Sequence, residues 1–176
     1  MPTHFAQLFW GLLIVTLDFR IIVFDVLPDG IGYLIIATGC YGLNATSSRF
    51  SSAWILCLLL ALLWLTDFVH LGEISIILDL VSRLVNCAMI WQLLGGIAGY
   101  AAERKRSDLA QRATNRRLAY VAMMVSFTLL SFTMHGAHST RPLIIILVVS
   151  VLALVIMILH LIHRVKTEIA MGEIAT

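Results

Sequence analysis

The stretch Tyr100-Ala-Ala-Glu-Arg-Lys-Arg-Ser-Asp-Leu-Ala-Gln-Arg-Ala-Thr-Asn-Arg-Arg117 decides how the rest of the chain is read. It carries six basic side chains, Arg104, Lys105, Arg106, Arg112, Arg116 and Arg117, against two acidic ones, Glu103 and Asp108. It is the one extended hydrophilic run in a chain of 176 residues that is 60% hydrophobic and 12% charged, with a mean hydropathy of +0.97. That balance belongs to a chain solvated by lipid, not to a soluble core wrapped in polar surface. A helix needs about 20 mainly apolar residues to cross about 30 Å of hydrocarbon. Six stretches approach that length: residues 5–26, 29–43, 52–69, 74–99, 118–134 and 143–159. The expected fold is an all-α integral membrane bundle of about six transmembrane helices in a single domain, with residues 100–117 as a basic cytoplasmic loop or interfacial helix.

Orientation follows from the distribution of Lys and Arg among short loops, which favours the cytoplasmic side. With both termini inside, the inner side collects Arg49, the six basic residues of 100–117, Arg164 and Lys166, nine of the twelve Lys and Arg residues. Arg20 and Arg141 fall outside, and Arg83 lies within the fourth segment. No Lys or Arg precedes the first apolar run, so no signal-peptide n-region is expected and segment one is read as retained. The basic run has no interleaved aromatic residues, which argues against nucleic acid. Its expected partners are membrane lipids, with anionic headgroups meeting Arg104, Lys105, Arg106, Arg112, Arg116 and Arg117 at about 1 kcal/mol per residue.

Charge inside the apolar segments is the next signal. Residues 17–33 read Leu-Asp-Phe-Arg-Ile-Ile-Val-Phe-Asp-Val-Leu-Pro-Asp-Gly-Ile-Gly-Tyr and hold Asp18, Arg20, Asp25 and Asp29. An ionised side chain near a helix centre in lipid costs about 2.5–3.5 kcal/mol, so these groups require partners or water. If the stretch is helical, Asp18 and Asp25 share a face; a re-entrant loop around Pro28 and Gly30 is the alternative. Asp29 is placed to cap segment two, where free N–H groups and the helix dipole favour a carboxylate, leaving Asp18 and Asp25 as the functional part. In segment four, Ser75, Asp79, Ser82, Arg83 and Asn86 form one polar stripe expected to face the bundle interior. Asp79 stands four residues before Arg83, the favourable order for an intrahelical ion pair. Such a pair is more often structural glue than a proton or ion relay. Asp18, Arg20, Asp25, Asp29, Asp79 and Arg83 together make up the candidate functional polar site. Gly95, Gly96 and Gly99 suggest a close helix approach.

The element Asp25-Val-Leu-Pro-Asp-Gly-Ile-Gly-Tyr33 resembles one found near the N-terminus of a group of small, functionally uncharacterised bacterial multi-pass membrane proteins. The likeness covers roughly a tenth of the chain and departs at Arg20-Ile-Ile-Val23. It implies a location in the bacterial cytoplasmic (inner) membrane and transfers no catalytic residue.

Other chemistries lack their signatures. There is no nucleophile elbow, phosphate loop, dinucleotide fingerprint or iron–sulfur spacing. Cys40, Cys57 and Cys87 lie in apolar runs without Cys-x-x-Cys spacing and read as small hydrophobes. His135-x-x-His138 with His70 is the nearest approach to a metal site. It lacks the i, i+4 spacing of His-Glu-x-x-His, so the histidines are read as solvated loop residues, and neither metal nor cofactor is expected. The favoured reading is a non-enzymatic accessory or assembly protein, working with a second copy or a partner membrane protein. A small cation- or proton-coupled transporter or channel acting as an oligomer ranks second, and a membrane-embedded hydrolase with an outer-face site ranks third.

Overall fold

The computed structural model describes residues 2–17, 20–21, 24–25, 29–66, 74–133 and 141–170. The described chain is helical throughout apart from one minimal ladder, with α1 (Pro2–Leu17), α2 (Asp29–Gly42), α3 (Ser48–Thr66), α4 (Ile74–Glu103), α5 (Ser107–Thr133) and α6 (Arg141–Val165). Ser48–Thr66, Ile77–Glu103 and Val149–Ile169 are long and apolar enough to cross a membrane. α1 and α2 have 16 and 14 residues, about 24 and 21 Å at the usual rise.

Several boundaries differ from those the hydropathy suggests. The first helix stops at Leu17, not at residue 26, and β1 (Arg20–Ile21) pairs antiparallel with β2 (Phe24–Asp25), setting Arg20 opposite Asp25. Asp18 and Asp25 therefore share no helix face, since Asp25 lies in extended backbone. Ile21 and Phe24, one β-branched and one aromatic, favour that extended conformation over a continued helix. α3 begins at Ser48 and not at Ser52, because the Ser47 hydroxyl accepts the Arg49 N–H at 3.3 Å and caps it.

The larger difference concerns residues 100–117, which are helical except for a tight turn at 104–106, the helix alternative and not the loop. α4 runs on through Glu103 and α5 starts at Ser107. Ala, Glu, Arg and Gln are strong helix formers, so a hydrophilic run ends the apolar pattern without ending the helix. The connection is a Schellman closure: the Arg106 N–H donates to Ala101 C=O at 3.0 Å and the Lys105 N–H to Ala102 C=O at 3.0 Å. Lys105 takes φ of 59°, the left-handed region. After Val165 the last described residues, Lys166–Ala170, wind a wider π-type turn.

Each helix packs on its neighbour in sequence, and α6 returns to α1, so the six close a ring. α1 and α2 touch backbone to backbone. A methyl group on Gly11 would lie 2.9 Å from Gly32 O, and one on Gly32 would lie 3.1 Å from Gly11 O. The expected close approach at Gly95, Gly96 and Gly99 takes another form. Gly95 makes room for the Arg49 side chain and Gly96 for the Phe50 ring, while Gly99 has nothing within 4 Å of a Cβ position.

The buried core occupies one end of the ring. Phe5 and Leu8 of α1, Ile36 and Cys40 of α2, Phe50 and Cys57 of α3, Leu93 and Ile97 of α4, Leu109 of α5 and Ile162 of α6 are all fully enclosed. Phe5 meets Tyr100 across the ring, with centroids 5.1 Å apart. All these residues belong to the end that carries the α4–α5 turn. Around the outside of the ring, large apolar side chains such as Trp10, Ile55, Leu62, Leu84, Leu129 and Ile156 point outward with more than half their surface exposed. That continuous apolar exterior suits lipid rather than water.

Candidate functional site

Above the packed end a half-open cavity of about 460 Å³ lies between α1, α4, α5 and α6. Leu12, Met89, Ile90, Tyr120 and Ile158 line it and also belong to the buried core, so they form its floor. Val15, Met124, Phe127, Val151, Leu152 and Val155 make apolar walls, and the polar lining is Thr16, Arg83, Asn86 and Tyr120. Thr16 donates to Leu12 C=O at 2.7 Å within its own helix, which leaves Arg83, Asn86 and Tyr120 as the groups able to face an occupant. A second cavity of about 160 Å³ lies toward α2 and α3, bordered by Asp29, Tyr33, Leu60, Trp64 and Ser82. Arg83 and Asn86 line both cavities and stand between them.

The geometry at this node follows from the spacing on α4. Arg83 Nε donates to Asp79 Oδ1 at 3.2 Å and Oδ2 at 3.1 Å, and Arg83 Nη2 lies 2.9 Å from Oδ2. The pair sits one helical turn apart, as i, i+4 placement dictates. The guanidinium also stands 5.4 Å from the Phe127 ring centroid on α5. One turn further on, Asn86 Nδ2 donates to Tyr33 Oη at 3.4 Å, tying α4 to α2.

The stripe does not face inward along its whole length. The Asp79 side chain is 61% exposed and that of Arg83 41%, because buried packing along α4 begins only at Met89. The Ser75 side chain lies outside the described residues. Asp29 opens α2 and lines the smaller cavity with Arg83, so these two predicted site residues share one space. Arg20 and Asp25 oppose each other in the ladder. Asp18, His70, His135 and His138 lie outside the described residues. Among the described residues no three His, Cys, Asp or Glu side chains converge as a metal site would require.

Sequence reasoning passed over Tyr33 and Tyr120, the phenols that border this region. Tyr33 stands four residues after Asp29 and so on the same helix face, a spacing that would have found it. Tyr120 has no comparable marker.

At the packed end the basic residues divide into distinct settings. Arg104 lies over the Tyr100 ring at 3.7 Å. Arg106 bonds Asp108 at 3.2 Å and also reaches Glu168, which Arg164 holds as well, joining α5 to the end of α6. Asp108 outside the bundle core is held below its ordinary range, chiefly by the Arg106 hydrogen bond. Arg117 stacks on Trp91 of α4 with its guanidinium carbon 3.3 Å from the ring centroid.

No protein-family model matches the chain, and searches of curated proteins and of solved structures find no match either.

Proposed function

We propose that the chain is a non-enzymatic accessory or assembly protein of the bacterial cytoplasmic membrane, with six spans and both termini in the cytoplasm, and that its cavity holds an amphipathic membrane molecule. The observation that carries this reading is the lining of the larger cavity: ten apolar side chains with Arg83, Asn86 and Tyr120 at one region. Hydrophobic walls with a few convergent polar groups are the usual form of a binding pocket. Arg83 can only donate, while Asn86 and Tyr120 both donate and accept, so the fitting occupant has a polar head that bears acceptors and a hydrocarbon body.

The test is purification in mild detergent followed by mass spectrometry of co-purifying molecules. An amphipathic lipid retained by the wild type and lost from Met124→Trp, which fills the cavity, is the expected result. Retention unchanged in that variant, or nothing retained by the wild type, rejects the reading. For the threading, a cytoplasm-dependent reporter should be active after Arg112 or Thr176 and inactive when inserted after Gly136. Activity at Gly136 rejects six spans.

The transporter reading keeps one specific support, that Arg83 and Asn86 border both cavities. A proton or cation flux in vesicles abolished by Arg83→Gln would favour it over the accessory role.

A further inference from the structure

The ring brings two arginines together about one helical turn below the floor of the cavity, at residues that do not line it. Arg49 in the first turn of α3 and Arg117 of α5 converge over Gly95 of α4: Arg49 Nη1 lies 2.6 Å and Arg117 Nη1 3.4 Å from the same Cβ position at that glycine. Two like charges placed so closely repel, and an anion or a carboxylate between them relieves that repulsion. The described carboxylates at this end, Glu103, Asp108 and Glu168, are engaged with Arg104, Arg106 and Arg164. Arg117 Nε is buried without a hydrogen-bond partner among the described residues. Its stacking on Trp91 fixes the guanidinium plane, and a guanidinium held in that way is suited to donate to phosphate oxygens through its Nη groups.

We infer that Arg49, Arg117 and Trp91 form a binding site for the phosphate of an anionic phospholipid. The level of the site favours a lipid over a soluble anion. Arg49 stands where α3 begins, and Arg117 directly precedes Leu118, which is 55% exposed and opens the apolar part of α5. Trp and Tyr commonly sit at that headgroup depth. The inference concentrates lipid recognition at two of the chain's basic residues. Arg49 lies outside the hydrophilic run, and Arg104 and Arg106 of that run have protein partners. The site is separate from the cavity and stands whatever fills it.

The full-length protein, loaded in mixed micelles of phosphatidylcholine and phosphatidylglycerol and then exchanged into neutral detergent, should retain phosphatidylglycerol in preference. Arg49→Gln and Arg117→Gln should each lower that retention about tenfold, the effect of losing one charged hydrogen-bond partner. Arg112→Gln, an exposed basic change at the same end, should retain it. Gly95→Ala, which places a methyl group at the point of convergence while keeping both charges, should also lower retention and guards against a misfolded arginine variant. Equal loss in Arg112→Gln would reduce the effect to diffuse surface charge and overturn the site. Absence of phosphatidylglycerol enrichment would overturn it too. Displacement of the lipid by millimolar inorganic phosphate would assign the site to a free anion and overturn the lipid assignment.

Discussion

Asn86 and Tyr33, 53 residues apart, meet side chain to side chain at 3.4 Å and join α4 to α2 beside the cavity wall. That length is beyond the usual 2.7–3.2 Å range for an N–H···O bond, so the contact belongs at the lower end of the about 0.5–1.5 kcal/mol that a neutral hydrogen bond contributes. Tyr33→Phe should therefore lower thermal stability in detergent by about 0.5–1 kcal/mol, and Asn86→Leu should show less than additive loss when combined with it. Full additivity in the double variant would mean that the two groups do not touch in the membrane.

Asp79 and Arg83 offer a measure of their surroundings. An i, i+4 pair in water couples by about 0.3–0.5 kcal/mol, whereas breaking a pair in low dielectric costs about 3–5 kcal/mol. A cycle of Asp79→Asn, Arg83→Gln and the double variant, read in lipid nanodiscs, should give coupling above about 1 kcal/mol if the exposed face of the pair lies against lipid. Coupling at the water value would place the pair in a hydrated vestibule.

Glycine substitutions should separate by sign. Gly11→Ala pushes a methyl group to 2.6 Å from Ile36 Cγ1 and 2.9 Å from Gly32 O, and overpacking of that kind costs about 1–3 kcal/mol. Gly99→Ala meets nothing within 4 Å and gains helix propensity of about 0.5–1 kcal/mol. Melting temperatures of the two variants should move in opposite directions, and a shared loss would show that the space beside Gly99 is filled.

Lys105 occupies a left-handed backbone position that glycine prefers. Lys105→Gly should raise stability by about 0.5–1 kcal/mol, since relief of about 1–2 kcal/mol of left-handed strain is partly offset by the greater freedom of glycine in the unfolded chain, about 0.5–1 kcal/mol. No gain on thermal unfolding would remove the Schellman closure as a source of strain.

The Asp108 carboxyl lies below its ordinary value of 3.8 because Arg106 bonds its charged form. A group with a depressed folded pKa contributes stability that is present above its unfolded value and is lost as pH falls through the folded one. Unfolding midpoints should drop below about pH 4, and Asp108→Asn should lessen that acid loss. An unchanged acid limb in the variant would assign the loss to other carboxylates.

The helical class was legible because apolar runs of membrane length leave few alternatives, and the Asp79–Arg83 pair because i, i+4 spacing fixes it within one helix. Other features depend on tertiary structure. Gly11 and Gly32 are ordinary residues in their own segments, and their importance appears only when α1 and α2 lie side by side. Arg49 of α3 and Arg117 of α5 have the whole of α4 between them in sequence, and no local pattern predicts that both reach Gly95. The extent of α4 and α5 was misjudged because hydropathy locates lipid, whereas Ala, Glu, Arg and Gln continue a helix into water.

Ring closure has a consequence for biogenesis. α1 gains its α2 neighbour early in synthesis, but the seam where Phe9 meets His163, with ring centroids 6.2 Å apart, cannot form until the last helix has left the ribosome. Through the synthesis of four intervening helices, one flank of α1 is left without its native neighbour. The final helix then acts as the closing stave, displacing whatever has occupied that flank.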